Sequence, residues 1–447
     1  MKLQNHLSRV AMLLLASAGS AVALGSDQIP GADPKQPVLL RNAKVHPVSG
    51  PVIDGGSVLI EAGVIRWVGA GEPPEAPGAM KVDLEGKHLY PGLIESFSQI
   101  GLIEIESVRA TIDTAETGEI NSNVRAQVAF NPDSEAIPVA RANGVLLALT
   151  VPSGGWLSGK SSLMRLDGWT YEDMALVPTL GMHLQWPRFS APPISRRGRG
   201  GGGAGGDLAP EKRLEELQEW IDKSRLYGKA KIDAPGSIPY DARLEGMLDL
   251  VEGKIPMIVD AADAAQIQSA ISFARANRLK LILYGGLDAD QCAPLLKETQ
   301  TPVIVGGVYR VPRTGKPYDE AYTLPSRLRD QGVRFCISGS GRFSAANVRN
   351  LPYHAAMASA HGLTSDEALR AITLSAAEVL GVADRVGSIE VGKEANLFVA
   401  NGDILEIPTQ VTAAWIRGKP VDLNSHHTEL YRKYQTKYDR IQPAPNP

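Results

Sequence analysis

Between residues 144 and 338 short apolar runs recur: GVLLALTV (144–151), IPMIVD (255–260), LKLILYG (279–285), TPVIVGG (301–307) and GVRFCIS (332–338). Each is too short for an ordinary helix and too continuously apolar for a strand with one wet face. Runs of this kind are what fully buried parallel strands require. Amphipathic stretches at 210–230, 264–277 and 289–298 lie between them, so strand and helix alternate. The repetition over 91–385 predicts an α/β chain with a (β/α)8 barrel, a doubly wound parallel sheet being the other arrangement the pattern allows. Beyond the last run, Thr364 and Glu367 form the T-x-x-E box that opens a helix.

Both flanks of this region have another texture. VLLRNAKVHPV, SVLIEAGVIRWVGAG and MKVDLEGKHLY on one side, and GSIEVGKEANLFVANG and VTAAWIRGKPVDL on the other, are short β-like runs punctuated by glycine and proline. They predict a small β-sandwich composed of residues 36–90 and 386–425, with the barrel inserted between its halves and 426–447 as a tail. Residues 191–206, APPISRRGRGGGGAGG, have too little apolar content to fold and read as a disordered loop of the barrel.

A hydrophobic fraction of 43%, a charged fraction of 21% and a net charge of −3 give no reason to expect nucleic acid or an anionic membrane as partner. The first residues combine Lys2 and Arg9 with an apolar run over 10–24 that ends in Ala21-Val22-Ala23. That layout predicts a signal peptide over 1–23, cut near Ala23, and hence a periplasmic or secreted protein. The run is too short and too rich in small residues to span a bilayer. Cys292 and Cys336 are too few for a disulfide scaffold; they either pair in an oxidising compartment or serve as small buried hydrophobes.

Chemical motifs are sparse. Residues 154–161, GGWLSGKS, fit the phosphate-binding pattern G-x-x-x-x-G-K-S, but that pattern needs a helix to start at its end. The residues after it are β-like and then turn at Asp167-Gly168, so the segment reads as a glycine-rich hairpin over the barrel mouth, with Lys160 available to an anionic ligand. No histidines form an H-x-H or H-E-x-x-H arrangement. His183, after a short apolar run, is the one that could face a pocket.

Residues 86–102, GKHLYPGLIESFSQIGL, and residues 362–406, GLTSDEALRAITLSAAEVLGVADRVGSIEVGKEANLFVANGDILE, resemble the amidohydrolase superfamily, in particular its exported imidazolonepropionase-like and dihydroorotase-like branch. The resemblance implies a barrel closed by a composite β-sandwich from both chain ends. It also implies one or two divalent metals such as zinc, held at strand ends by a P-G-L-I-D-x-H-x-H strand and by ligands further on. This chain departs from that pattern. Glu95 stands at the acidic position and Phe97 and Gln99 at the two histidine positions; Asp260 stands where the middle of the barrel should end a strand in histidine. The next strand ends in Tyr284-Gly285-Gly286, and Ser340 replaces the aspartate expected after the last strand.

The expectation is therefore a pseudoenzyme without a metal cofactor. It would bind a small-molecule ligand, or pair with a metal-bearing relative in a mixed oligomer or with a second copy as a homodimer. The alternative is a hydrolase of non-peptide carbon–nitrogen bonds, such as those of cyclic amides, using an altered site. Asp260 and Ser340 would be its catalytic groups, and Glu95, Gln99, Lys160, His183 and Arg342 would line the pocket.

Overall fold

The turn at Gly92 hands the chain from one eight-stranded sheet to another in the computed structural model, which describes residues 28–71, 73, 75–189, 209–339 and 344–441. The expected signal peptide, the 191–206 loop, Ser340 and Arg342 lie outside the described residues. The first sheet begins with β1 (Val38–Val45), β2 (Ile53–Glu61), β3 (Val64–Ala70), β4 (Met80–Asp83) and β5 (His88–Pro91). β1 pairs antiparallel with β2 and parallel with β4 and β5.

The second sheet runs through β6 (Leu93–Ser98), β7 (Val145–Thr150), β8 (Leu157–Arg165), β9 (Ala175–Gln185), β10 (Met257–Ala261), β11 (Leu281–Gly285), β12 (Val303–Gly306) and β13 (Phe335–Ser338), in that spatial order. The continuously apolar runs read from the sequence are β7 and β10–β13. Helices α1 (Ala136–Arg141) and α2 (Tyr171–Met174) are short. The outer layer is then built by α3 (Pro210–Asp233), α4 (Ala242–Val251), α5 (Ala264–Asn277), α6 (Ala293–Glu298) and α7 (Glu320–Asp330). After β13 come α8 (Leu351–Ala360), α9 (Ser365–Ala371) and α10 (Leu374–Val379). Thr364 and Glu367 make the reciprocal capping box at the start of α9. The chain then returns to the first sheet as β14 (Leu397–Ala400), β15 (Val411–Ile416) and β16 (Lys419–Pro420), with β14 antiparallel to β5, and ends in α11 (His426–Ile441).

The barrel is not uniformly parallel. β8 runs antiparallel to both β7 and β9, because Gly154 and Gly155, at φ 89° and 64°, turn the chain straight back after β7. A side chain at Gly155 would meet the carbonyls of Gly118 and Glu119 at 2.7 Å, so the hairpin needs glycine there. With β8 continuing through it, the GGWLSGKS segment offers no helix N-terminus to a phosphate.

Among the described residues β6 and β13 share no backbone ladder, and side chains close the barrel between them. Glu95 on β6, fully buried, accepts from the Ser338 hydroxyl, from Gly339 N at 2.8 Å and from Phe97 N at 3.0 Å. Below it, Cys336 Sγ lies 3.4 Å from Ser96 Oγ. The first sheet has a core of its own, with Leu40, Val45, Val58, Leu89, Leu397 and Trp415. It is tied to the barrel by Arg165 of β8, whose guanidinium makes two bonds, at 2.8 and 2.9 Å, to Glu394. Both cysteines are buried and unpaired.

Candidate functional site

Strands β6, β9, β10 and β11 end at one mouth, and β8, running the other way, begins there. Their terminal residues line a cavity of about 220 Å³: Phe97 and Gln99, Ser158, His183 and Gln185, Asp260 and Tyr284, with Ser153 after β7 and Ser344 after β13. The position of the site at strand C-termini is a consequence of parallel βα units, whose loops gather at that face.

Phe97 lies flat on Tyr284, with ring centroids 3.5 Å apart and planes 5° apart. Gly306 makes this possible: a Cβ there would stand 3.2–3.3 Å from the Tyr284 ring and its hydroxyl. His183 meets Phe97 edge-on at 5.7 Å. Its side chain is buried, and Nε2 finds no hydrogen-bond partner among the described residues. Burial drives the imidazole down to about 3, so the ring is neutral.

Asp260 turns an exposed surface to the open cavity, and the protein packed around it raises its carboxyl above the usual range by desolvation. Arg188 opposes the shift only partly. Gly285 keeps the approach open, since a side chain there would stand 3.4 Å from Asp260 Oδ1. Gln99 is engaged through Oε1, which accepts from Ser344 Oγ at 3.1 Å.

Thus Gln99, His183 and Asp260, three of the residues named from the sequence, line one cavity. Two other expected pocket residues do not join them. Glu95 is consumed by the β6–β13 seam, where its three donors hold it. Burial pushes its carboxyl up to about 7 against those hydrogen bonds. Lys160 lies deeper along β8 and donates to the Gly246 carbonyl of α4 at 3.3 Å; it does not line the cavity, and burial lowers its ammonium. Sequence reasoning does not single out Ser153, Ser158, Gln185 or Ser344. The glycine turn before Ser158 is the one available signal for that residue, and the others carry none.

A divalent metal of the kind the resemblance implies does not fit the donors present. Where two imidazoles would stand, the cavity has a stacked phenylalanine and a glutamine already engaged by a serine. Among the described residues no group of three or more His, Cys, Asp or Glu side chains could hold a metal. A larger cleft of about 890 Å³ lies beside the mouth, between the β6–β7 connection and the start of α4. It shares only Pro152 with the strand-end cavity and gathers no strand-end side chains.

The model of the Amidohydrolase family matches residues 319–422. The crystal structure of an amidohydrolase from Thermotoga maritima superposes with a TM-score of 0.74 at 25% identity, covering 86% of this chain and 99% of that one. An imidazolonepropionase from Mesorhizobium japonicum is 24% identical over 78% of this chain and 87% of its own length. Amidohydrolase tasK of Hapsidospora irregularis is 22% identical over 88% of this chain, which spans only 44% of that relative's length. An eight-stranded barrel and a sheet shared by both chain ends agree with these likenesses, which together support the amidohydrolase superfamily for this chain.

Proposed function

We propose that this protein is an exported, metal-free member of its superfamily that holds a small ligand at the barrel mouth without metal-assisted hydrolysis. The observation that carries the reading is the Phe97–Tyr284 stack at the end of the first barrel strand. An aromatic ring offers a zinc ion no lone pair, and the stacked rings occupy the ground that imidazole ligands would need. The signal-like N-terminus supports export to the periplasm or beyond. A metal-bearing relative in a mixed oligomer, or a second copy, is the partner such a subunit would take.

The test is elemental analysis of the mature protein after incubation with zinc and manganese and removal of the excess. Less than a tenth of an equivalent of metal is expected; a near-stoichiometric amount that disappears in Asp260→Ala would overturn the proposal. Native mass spectrometry of the protein purified from its own cells reads the partner.

A second reading keeps hydrolysis, and one observation favours it: Asp260 and His183 line the same cavity, and among the described residues neither the Asp260 carboxylate nor His183 Nε2 has a hydrogen-bond partner. A carboxylate raised above its usual range can take a proton from water, so cyclic amides and hydantoins are the substrates to screen. Turnover lost in Asp260→Asn and independent of chelators would support it.

A further inference from the structure

The charge of the mouth narrows what can enter it. Among the described residues Asp260 is the one acidic side chain on the cavity wall, and no lysine or arginine lines that wall. The opposing charge that acts on it is Arg188, exposed on the segment after β9. No hydrogen bond from the described residues reaches the carboxylate, which faces the open cavity. Such a group gains most from a ligand that brings a positive charge and N–H donors.

The rest of the wall suits a flat partner. Phe97 and Tyr284 form an aromatic surface whose ring electrons attract cations. His183, 4% exposed, carries a buried nitrogen without a partner among the described residues, and its neutral ring adds no competing charge. Gln185, Ser153 and Ser158 add neutral donors and acceptors at the rim.

We infer that the barrel mouth binds a small planar organic cation of the amidinium or guanidinium class, paired to Asp260 and lying along the Phe97–Tyr284 wall. This rests on reading the mouth as a ligand pocket without a metal, and it adds the charge and shape of the ligand. It also reverses the anionic ligand expected from Lys160 in the glycine-rich hairpin, because Lys160 is spent on the Gly246 carbonyl.

The experiment is titration calorimetry with three molecules of nearly one shape and different charge: benzamidine, benzamide and benzoate. Benzamidine should bind at least tenfold more tightly than benzamide, and benzoate more weakly than either. In Asp260→Asn the benzamidine advantage should fall to less than threefold. Should that variant not fold, the wild-type ratio of benzamidine to benzamide affinity should shrink as salt is raised, as a charge pair requires.

Benzoate binding as tightly as benzamidine, no binding of benzamidine, an advantage untouched by Asp260→Asn, or a ratio insensitive to salt would overturn the inference. Metal content measured on the same sample separates the two readings. Stoichiometric metal with the cation preference intact removes the metal-free reading alone, whereas absent metal with an anion preference removes this one.

Discussion

Glu95 gives the sharpest stability test, because it is fully buried and joins strands that no backbone ladder joins among the described residues. Its carboxyl, ordinarily near 4.5, is pushed up to about 7 mainly by burial, against the hydrogen bonds from Ser338, Phe97 and Gly339. A folded-state value above the unfolded one means that the folded protein holds its proton more tightly. The associated stability is therefore full below 4.5 and is lost as pH rises through about 7. A move of this size corresponds to about 3 kcal/mol, most of it lost between about pH 5 and pH 8.

Glu95→Gln removes the titration. The amide keeps one acceptor but turns an NH₂ group toward a ring of donors, which costs about 1–3 kcal/mol at about pH 5. At pH 8 the wild type has surrendered a comparable amount, so the variant should match or exceed it. Urea unfolding of both proteins at the two pH values measures this. A deficit that stays constant, or grows, from pH 5 to pH 8 would refute the reasoning, because it would mean that the seam prefers the ionised carboxylate.

Three further outcomes are expected. Arg165→Ala leaves the partly buried Glu394 with Arg385 and a longer bond from Asn396 Nδ2 at 3.4 Å, and should cost about 3 kcal/mol, read from the urea midpoint. Burial works to raise the Glu394 carboxyl, but its arginine bonds outweigh it and hold the group below its usual range, so this contribution persists above the unfolded value and fades as pH falls. His46, stacked on Tyr90 at 4.3 Å and 3.2 Å from His88, is lowered to about 4 by burial and then by His88. The protein should lose thermal stability as pH falls from 6.5 toward 4, and His46→Phe, which keeps the stack, should flatten that slope. Finally, Phe97→His combined with Gln99→His returns two imidazoles to a strand end beside Asp260, and zinc retained after dialysis should rise from near zero toward one equivalent.

What can be read from the sequence divides along a physical line. β7 and β10–β13 are legible because a fully buried parallel strand must be apolar throughout, and that demand is local. β8 is obscure for the opposite reason. LSGKSSLMR is buried at every position yet rich in polar groups, four of them satisfied by partners elsewhere in the chain: Ser161 by Gly181, Ser162 by Pro178, Lys160 by Gly246 and Arg165 by Glu394. No periodicity within the segment announces those partners, so a full barrel strand reads as a hairpin lying over the mouth. The site obeys the same division. The spacing of Phe97 and Gln99 at the end of β6 is open to direct reading, whereas the fate of Glu95 and Lys160 depends on Ser338, Gly339 and α4. The Phe97–Tyr284 stack requires, in addition, a missing side chain at Gly306. Strand-end identities can therefore be read one residue at a time, but the charge a pocket presents depends on which ionisable groups are claimed elsewhere. Here the seam claims Glu95 and the outer helix claims Lys160, which leaves Asp260 as the acidic side chain facing the cavity among the described residues.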